Sequence, residues 1–229
     1  MKKLLSFVAL ILMALSLRAG YYLEQKEISH KNGVKKERIT RIWMQGKSLK
    51  IENPSAITII NYGTKMAYFA NKEKKIYYKM SISQLKQMIN AMVAMMKQMG
   101  TNLTPKIVIT DQKKKIGDYN CTVVNLEMGN FQKIEQCLSP QVKIPSDALY
   151  NLLGILLPED LYREMKARRE TLSKLGFPVY SRSTVNMMGR EMITETYLTK
   201  YQQISIPPSE FTIPAGYQEK EFRSPFGAR

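Results

Sequence analysis

The chain has 229 residues, a formal net charge of +16 at pH 7, and one histidine. This length fits one generous domain with a real core, and no repeat or Pro/Gly/Ser-rich linker divides it. No G-x-S-x-G elbow, phosphate-binding glycine loop or C-x-x-C pair is present, which argues against the common nucleophilic, nucleotide and zinc chemistries. We therefore predict a protein that is not an enzyme, holds no cofactor and does not bind nucleic acid.

The N-terminus has the pattern of an export leader. Two lysines precede an apolar run over residues 4–15, and small residues follow it. The run is well short of the roughly 20 residues that a membrane-spanning helix requires. We predict a signal peptide over residues 1–19 with cleavage after Ala19, cleavage after Ser16 being the competitor. The mature protein, residues 20–229, is then one soluble domain in the periplasm or another extracytoplasmic space.

Residues 21–81 alternate apolar and polar side chains in short runs, which is the period-2 pattern of β-strands. Turn residues separate the runs, at Asn32-Gly33, Gly46, Asn53-Pro54, Gly63 and Asn71. Such short connections indicate an antiparallel meander. The six predicted strands are YYLEQKEISH, VKKERITRIWMQ, KSLKIEN, AITIINYG, KMAYFANK and KKIYYKMS.

From Ile82 to Met99 the apolar period becomes helical, and Gly100 is a natural stop. This amphipathic helix is rich in methionine, which suits three roles: a core face, an adaptable wall for a hydrophobic ligand, or a thioether site for monovalent copper. The candidate ligand-binding residues are Leu85, Met88, Ile89, Met92, Met95, Met96 and Met99.

Strands resume at KIVITDQ, and two more flank a turn at Gly129-Asn130. These two strands carry the only cysteines, Cys121 and Cys137. In an oxidising compartment an even pair indicates a disulfide, and directly opposed strand residues have a suitable separation. This pairing centres the hairpin on Gly129, so it predicts an odd loop or a bulge.

Residues 145–176 have the pattern of two helices. The first is apolar nearly all round, and the second begins at Pro158 and ends before Gly176. A long hairpin turning near Gly189 and a polar tail follow, for a total of about ten strands. The second helix carries a basic surface, which is either solvated or rests on anionic membrane. Its residues are Arg163, Lys166, Arg168 and Arg169.

Four short segments carry a resemblance to a known family: WMQGKSLKIEN, KKIYYKM, KKIGDYNCTVVNL and FTIPAGYQEKE. Together they resemble an uncharacterised exported family of the superfold of LolA and LolB, the periplasmic lipoprotein carriers. The resemblance implies an α+β fold: a strongly curved antiparallel sheet, an unclosed half-barrel, with helices covering the concave face. LolA-like members carry acyl chains, and related ones bind other hydrophobic ligands.

Three functions follow from these patterns. The first is a non-enzymatic binding protein that holds a lipid or another apolar small molecule between the curved sheet and the methionine-rich helix. The second is a module without a ligand that contacts an envelope protein or an anionic membrane surface through its basic residues. The third is thioether copper binding on the methionine-rich helix.

Overall fold

The computed structural model describes residues 19–31, 34–145, 150, 154–155, 157–187 and 190–222. Four predictions fall outside these residues: the leader, the turn at Asn32-Gly33, the turn near Gly189, and most of the first helix of the predicted C-terminal pair. The described residues form one large sheet and three helices, joined by short loops.

The strands are β1 (Ala19–Lys31), β2 (Val34–Gln45), β3 (Ser48–Glu52), β4 (Ala56–Asn61), β5 (Met66–Asn71), β6 (Ile76–Ser81), β7 (Pro105–Ile116), β8 (Tyr119–Met128), β9 (Gln132–Ser139), β10 (Phe177–Met187), β11 (Arg190–Ser205) and β12 (Gln218–Lys220). The helices are α1 (Ile82–Gln98), α2 (Glu159–Ala167) and α3 (Arg169–Leu175). A single turn of 3-10 helix spans Pro208–Phe211.

The strand order is β12-β6-β5-β4-β3-β2-β1-β11-β10-β9-β8-β7, so the sheet is open at β12 and β7. Two antiparallel meanders, β1 to β6 and β7 to β11, are joined where β1 pairs with β11. The predicted α+β class and unclosed sheet are confirmed, as are all six N-terminal strands. Over the described residues the sheet has twelve strands rather than about ten, and the one parallel pair among them is β12 with β6.

Asparagine side chains close three of the predicted turns in the first meander. The Oδ1 atoms of Asn53, Asn61 and Asn71 each accept a hydrogen bond from the backbone N–H three residues later. These local hydrogen bonds give the backbone N–H groups a partner where the pairing between strands ends, which is why asparagine favours turns.

Helix α1 begins at a capping box. The Ser81 hydroxyl accepts a hydrogen bond from the Gln84 N–H at 3.1 Å, and the Gln84 side-chain oxygen accepts one from the Ser81 N–H at 2.8 Å. The helix then crosses between the two ends of the open sheet. Leu85 belongs to the larger core cluster, which includes Ile60, Ala67 and Met80 of β4, β5 and β6 and extends to β8–β11. Val93 and Met96 instead pack on the core of the β7–β9 end. A 17-residue helix spans about 25 Å. The sheet therefore curves enough to bring its two halves to the same helix.

The prediction of one continuous second helix is wrong. The segment forms α2 and α3, which meet at Arg168, a residue with φ −103° and ψ 12°. Leu161 of α2 and Leu172 of α3 both face the core of the β7–β9 end. A 3.2 Å ion pair between Lys97 and Asp160 connects α1 to α2. The three helices thus lie on one face of the sheet, the concave face.

The disulfide between Cys121 and Cys137 is confirmed, with the Cα atoms 5.3 Å apart. Its expected geometry needs correction, because Cys137 lies opposite Val123 and the bridge is diagonal. The innermost pair is Met128 with Gln132, which leaves an odd loop of three residues, as predicted. Its centre is Asn130 and not Gly129, whose φ of +52° suits glycine.

The segment after β11 covers the outer face of the first meander. Phe211, Ile213 and Tyr217 pack on the buried side chains of Ile57 and Ile59. This apolar contact anchors the C-terminal segment along the face of the sheet that is opposite to the helices.

Lys50 is a buried cation on this outer face, with 8% of its side chain exposed. Its ammonium lies 2.9 Å from Glu210, 3.0 Å from Glu52 and 4.6 Å from the centre of the Trp43 ring. Burial disfavours the charged ammonium, but hydrogen bonds to Glu210 and Glu52 outweigh it, so the pKa of Lys50 is raised. The segment that contains Glu210 is therefore held to the sheet by a paired, desolvated charge.

Candidate functional site

A cavity of about 570 Å³ lies on the concave side of the sheet. Its floor is formed by β7, β8, β9, β10, β11 and β1, and its cover by α2, α3 and the loop over residues 140–144. This volume is within the range of roughly 300–1,000 Å³ that small-molecule sites occupy. The cavity is thus large enough for a ligand and is placed between sheet and helices.

The deep part of the cavity is apolar. Ile107 of β7 lies opposite Leu126 of β8, and Val124 of β8 lies opposite Gln136 of β9. Alternate residues of these three neighbouring strands therefore point to the same side of the sheet. Facing them, the two covering helices supply Met165 and Leu172. The apolar lining comprises Ile107, Val124, Leu126, Leu138, Val142, Ile144, Met165, Leu172, Phe177 and Pro178.

A short polar row crosses the floor beside this apolar part. Gln136 of β9 lies opposite Ser181 of β10, and Ser181 lies opposite Thr196 of β11. Gln25 of β1 lines the same cavity. These uncharged groups can donate and accept hydrogen bonds, so the floor offers a few polar contacts within mainly apolar walls.

Two exposed lysines stand where the lining reaches the surface. Lys143 comes from the loop after β9, and Lys174 comes from the last turn of α3. The Lys174 ammonium forms a 2.8 Å ion pair with the exposed Glu170. Exposed pairs of this kind contribute little to stability, so the ion pair leaves Lys174 available to an anionic group at low cost.

Tyr150 joins the helical cover to the cavity wall. Its ring is buried, its hydroxyl donates to the Met165 carbonyl oxygen at 3.4 Å, and the Arg169 guanidinium lies 5.2 Å from the ring centre. Burial raises the pKa of Tyr150, and the nearby positive charge of Arg169 opposes this rise only in part. Tyr150 therefore stays neutral. Its ring lines the cavity, and its hydroxyl donates a hydrogen bond to the backbone of α2.

Gly176 lets the end of α3 approach the end of β9. Its φ is +91°, and a β-carbon built at this position would lie 2.0 Å from the Ser139 carbonyl oxygen. Only glycine combines this backbone conformation with such a close approach. Since Gly176 itself lines the cavity, this contact fixes the position of the cover over the floor.

The seven candidate residues of α1 are divided between the core and the surface. Leu85 is buried, and Met88, Ile89 and Met96 are half-buried against the two cores. By contrast, Met92, Met95 and Met99 are 42%, 40% and 64% exposed. None of the seven is among the described residues that line the 570 Å³ cavity. Their contact with a ligand stays a prediction.

Met88 belongs to a second groove, between α1 and the C-terminal segment. This groove has a volume of about 710 Å³, and Gln84, Met88 and Phe222 are among its lining residues. Phe222 packs edge-on against Tyr78 with ring centres 6.0 Å apart. The lining of this groove is more polar than that of the first cavity, because Lys79, Glu219, Lys220 and Glu221 also contribute to it.

The predicted basic surface is largely paired within its own helices. Arg163 forms an ion pair with Asp160, and Arg168 forms one with Glu164 at 3.2 Å. Arg169 lies over the Tyr150 ring, and Lys166 is exposed. Anionic membrane binding by this surface stays a prediction.

Metal-binding clusters and membrane-spanning helices are both absent from the part of the chain that the structure describes. Within it, no three His, Cys, Asp or Glu side chains gather as they would around a metal ion. Over the same residues, no helix has the length and hydropathy to cross a membrane.

Sequence reasoning missed the residues that line the cavity. The signal that was present is the period-2 apolar pattern of β7 and β8, which places Ile107, Val124 and Leu126 on one face. That pattern identifies an inward face but not the helices that cover it. The polar row depends on pairing between β9, β10 and β11, which no local pattern specifies.

Comparison with known proteins gives one family and several distant structures. The family described as a domain of unknown function, DUF4412, matches residues 22–217. Among curated proteins, no sequence matches significantly.

The solved structures that are similar to this chain have little sequence identity to it. A structure of PNGF-II is 14% identical, with a TM-score of 0.43, over 89% of this chain and 31% of that chain. A LolA superfamily protein from Nitrosomonas europaea is 7% identical, with a TM-score of 0.33, over 84% and 90%. A putative outer membrane lipoprotein-sorting protein domain from Vibrio parahaemolyticus is 8% identical, with a TM-score of 0.35, over 84% and 88%. The chain spans about a third of the length of the PNGF-II structures that it matches.

Proposed function

This chain belongs to the DUF4412 family, a domain of unknown function, and we propose that it is a non-enzymatic binding protein for a lipid or another hydrophobic ligand. The observation that carries the proposal is the 570 Å³ cavity between the concave face of the sheet and the helices α2 and α3. Its walls are apolar, with a few uncharged polar groups on the floor, which is typical of sites for apolar small molecules.

The arrangement of the lining favours an elongated ligand with one polar end. Its apolar part would lie against Val124 and Leu126, and an anionic end would reach Lys143 and Lys174 at the surface. Burial of ten methylene groups contributes on the order of 8 kcal/mol before the costs of association are subtracted. Association costs of about 4–15 kcal/mol offset much of this gain, so a bound ligand of this kind can be released again.

The site differs from the one expected from the sequence. The expected cover was α1, whereas the described cover of the cavity is α2 and α3. Among the described lining residues, the ionisable side chains are Lys143, Lys174 and Tyr150, which supports binding rather than acid–base catalysis. The leader pattern of residues 1–19 and the disulfide support an extracytoplasmic location for this binding.

The experiment is native mass spectrometry of the mature protein after gentle purification from its own envelope. We expect a fraction of the molecules to carry an added mass that organic extraction releases. A ligand-free mass, under conditions that preserve the lipid complex of a control carrier, would count against the proposal.

A pair of matched variants tests whether the ligand binds in the cavity. Ser181→Trp puts a large side chain on the cavity floor, and Ser205→Trp makes the same change at the exposed end of β11. We expect Ser181→Trp to lose the added mass and Ser205→Trp to keep it, with unchanged circular dichroism in both. Equal occupancy in the two variants would show that the ligand lies elsewhere.

A further inference from the structure

One end of the sheet collects lysine side chains from segments that are far apart in sequence. The strand pairing places the β2–β3 turn, the β4–β5 turn, the end of β7 and the loop after β9 at the end where β1 begins. Gly176 packs against Ser139 at the end of β9, so the last turn of α3 lies there too. We call this end the basic rim, and its lysines are Lys47, Lys65, Lys115, Lys143 and Lys174.

The lysines of the basic rim are exposed and mostly unpaired. Lys174 forms an ion pair with Glu170, and the other four make no ion pair with any described residue. The other acidic residues near this end are Asp118, in the β7–β8 turn, and Glu210, whose carboxylate lies 2.9 Å from the Lys50 ammonium. Positive charge therefore exceeds negative charge at the basic rim.

The opposite end of the sheet has charges of both signs. The β5–β6 turn carries Glu73 beside Lys74, and α2 begins there with Glu159 and Asp160. Lysines that serve only solubility are best interspersed with acids, as they are at this opposite end. The excess of one sign at the basic rim instead points to an anionic partner.

The lysines of the basic rim are spread too widely to hold one small anion together. Lys65 lies between β4 and β5, and Lys115 lies at the end of β7, eight strand spacings from β4. At about 4.8 Å per spacing, this separation is roughly 38 Å along the curved sheet. Because the strands end at a common edge, an extended anionic surface can contact these lysines together, whereas a single phosphate or carboxylate cannot.

The cavity reaches the surface at this same end. Lys143 and Lys174 line its mouth, with Pro140 beside them. Ile204, the last residue but one of β11, is 39% exposed at the rim. Apolar side chains beside cations are typical of protein surfaces that lie in the interface of a membrane.

We propose that the basic rim is a docking surface for an anionic lipid bilayer. Its lysines contact the phosphate groups of the lipids, and the mouth of the cavity faces the bilayer. This surface is distinct from the predicted basic surface of α2 and α3, where Arg163 and Arg168 are paired with acids of their own helix. Docking does not require a ligand in the cavity.

The test is flotation of the mature protein with lipid vesicles. Vesicles of phosphatidylglycerol and phosphatidylcholine in equal amounts are compared with vesicles of phosphatidylcholine alone. We expect binding to the anionic vesicles only. This binding should be lost between about 0.1 M and about 1 M salt, because the Debye length falls from about 10 Å to about 3 Å. No binding to the anionic vesicles at low salt would overturn the proposal.

Matched variants separate the basic rim from net charge. The rim variant combines Lys47→Glu, Lys65→Glu and Lys115→Glu. The control combines Lys36→Glu, Lys74→Glu and Lys106→Glu, which are exposed lysines away from the rim. Lys36, for example, precedes Lys47 by eleven residues, roughly 36 Å along β2. We expect vesicle binding to fall by roughly tenfold or more in the rim variant and to change much less in the control.

Two results would overturn the proposal at this stage. One is an equal loss of binding in the rim variant and the control. The other is binding to soluble polyglutamate with none to the anionic vesicles, which would assign the basic rim to an acidic polymer. Circular dichroism checks the fold of each variant. If the rim variant does not fold, Lys47→Gln, Lys65→Gln and Lys115→Gln replace its changes, with a smaller loss expected.

The outcomes distinguish the basic rim from the proposed function. Lys47, Lys65 and Lys115 are not among the described cavity residues, so the rim variant should keep its ligand mass in native mass spectrometry. If the rim variant binds anionic vesicles as the wild type does, the docking surface is wrong whatever the cavity holds. A protein that binds these vesicles through the rim but carries no ligand would contradict the proposed function alone.

Discussion

Gly176→Ala tests whether the contact between α3 and β9 holds the cavity in shape. The added methyl group would lie 2.0 Å from the Ser139 carbonyl oxygen and 2.7 Å from the Pro140 Cα. Both atoms belong to the backbone, so no side-chain rotation relieves the overlap. The end of α3 must move by about 1.4 Å to restore an ordinary contact.

Two costs add at this position. The backbone at Gly176, with φ +91° and ψ −144°, lies in a region that is essentially restricted to glycine and costs another residue about 1–3 kcal/mol. Forced overpacking costs about 1–3 kcal/mol more. We expect the free energy of unfolding to fall by about 3 kcal/mol, which lowers the melting temperature of a domain this size by roughly 6–12 °C. The shift also displaces Lys174 and Phe177, so we expect lower ligand occupancy.

Gly216→Ala is the control, since Gly216 has a φ of +85° and a β-carbon there would have no described atom within 4 Å beyond its chain neighbours. This variant has the backbone cost alone, about 1–2 kcal/mol, and should keep its ligand. Urea unfolding monitored by circular dichroism gives the two free energies, and native mass spectrometry gives the two occupancies. Equal losses of stability in the two variants would refute the role of the α3–β9 contact.

Two further predictions concern stability. Burial raises the pKa of Glu52, but hydrogen bonds from Lys72 and Lys50 outweigh it and leave the pKa lowered. The stabilisation from Glu52 is therefore present above the unfolded pKa of about 4.3 and lost as the pH falls through the lower folded value. The difference in unfolding free energy between wild type and Glu52→Gln should shrink from about pH 6 to about pH 3; a constant difference would contradict this. Separately, Leu85→Ala should cost about 2–5 kcal/mol by urea unfolding and Met92→Ala about 0.5 or less, because only Leu85 is buried. Similar losses would contradict the placement of α1.

The local sequence pattern was sufficient to predict the strands of the first meander and the helix α1. Alternation in segments such as Leu49 to Glu52, with asparagine-closed turns between strands, specifies strands whose partners are adjacent in sequence. The capping residues Ser81 and Gln84 likewise mark the start of α1 within the sequence itself.

Such local patterns could not predict features that depend on contacts between residues distant in sequence. The break at Arg168 falls inside a continuous amphipathic segment and contains neither proline nor glycine. The periodicity of α1 also did not separate Met96, which faces the core, from Met92, which lies at its flank. An apolar side chain at the border of a helical stripe has the same period whether or not a neighbour covers it.

The pairing of β1 with β11 has a consequence for how the protein folds. Tyr21 lies opposite Gln203, so one edge of β1 has no partner until almost the whole domain has been synthesised. During that interval the first meander presents an open strand edge, which is a template for aggregation. Glu24, Lys26 and Glu27 place charges along this edge, and such charges disfavour pairing with foreign strands. The same residues join ion pairs with β2 in the finished sheet, so they serve the incomplete chain as well as the folded domain.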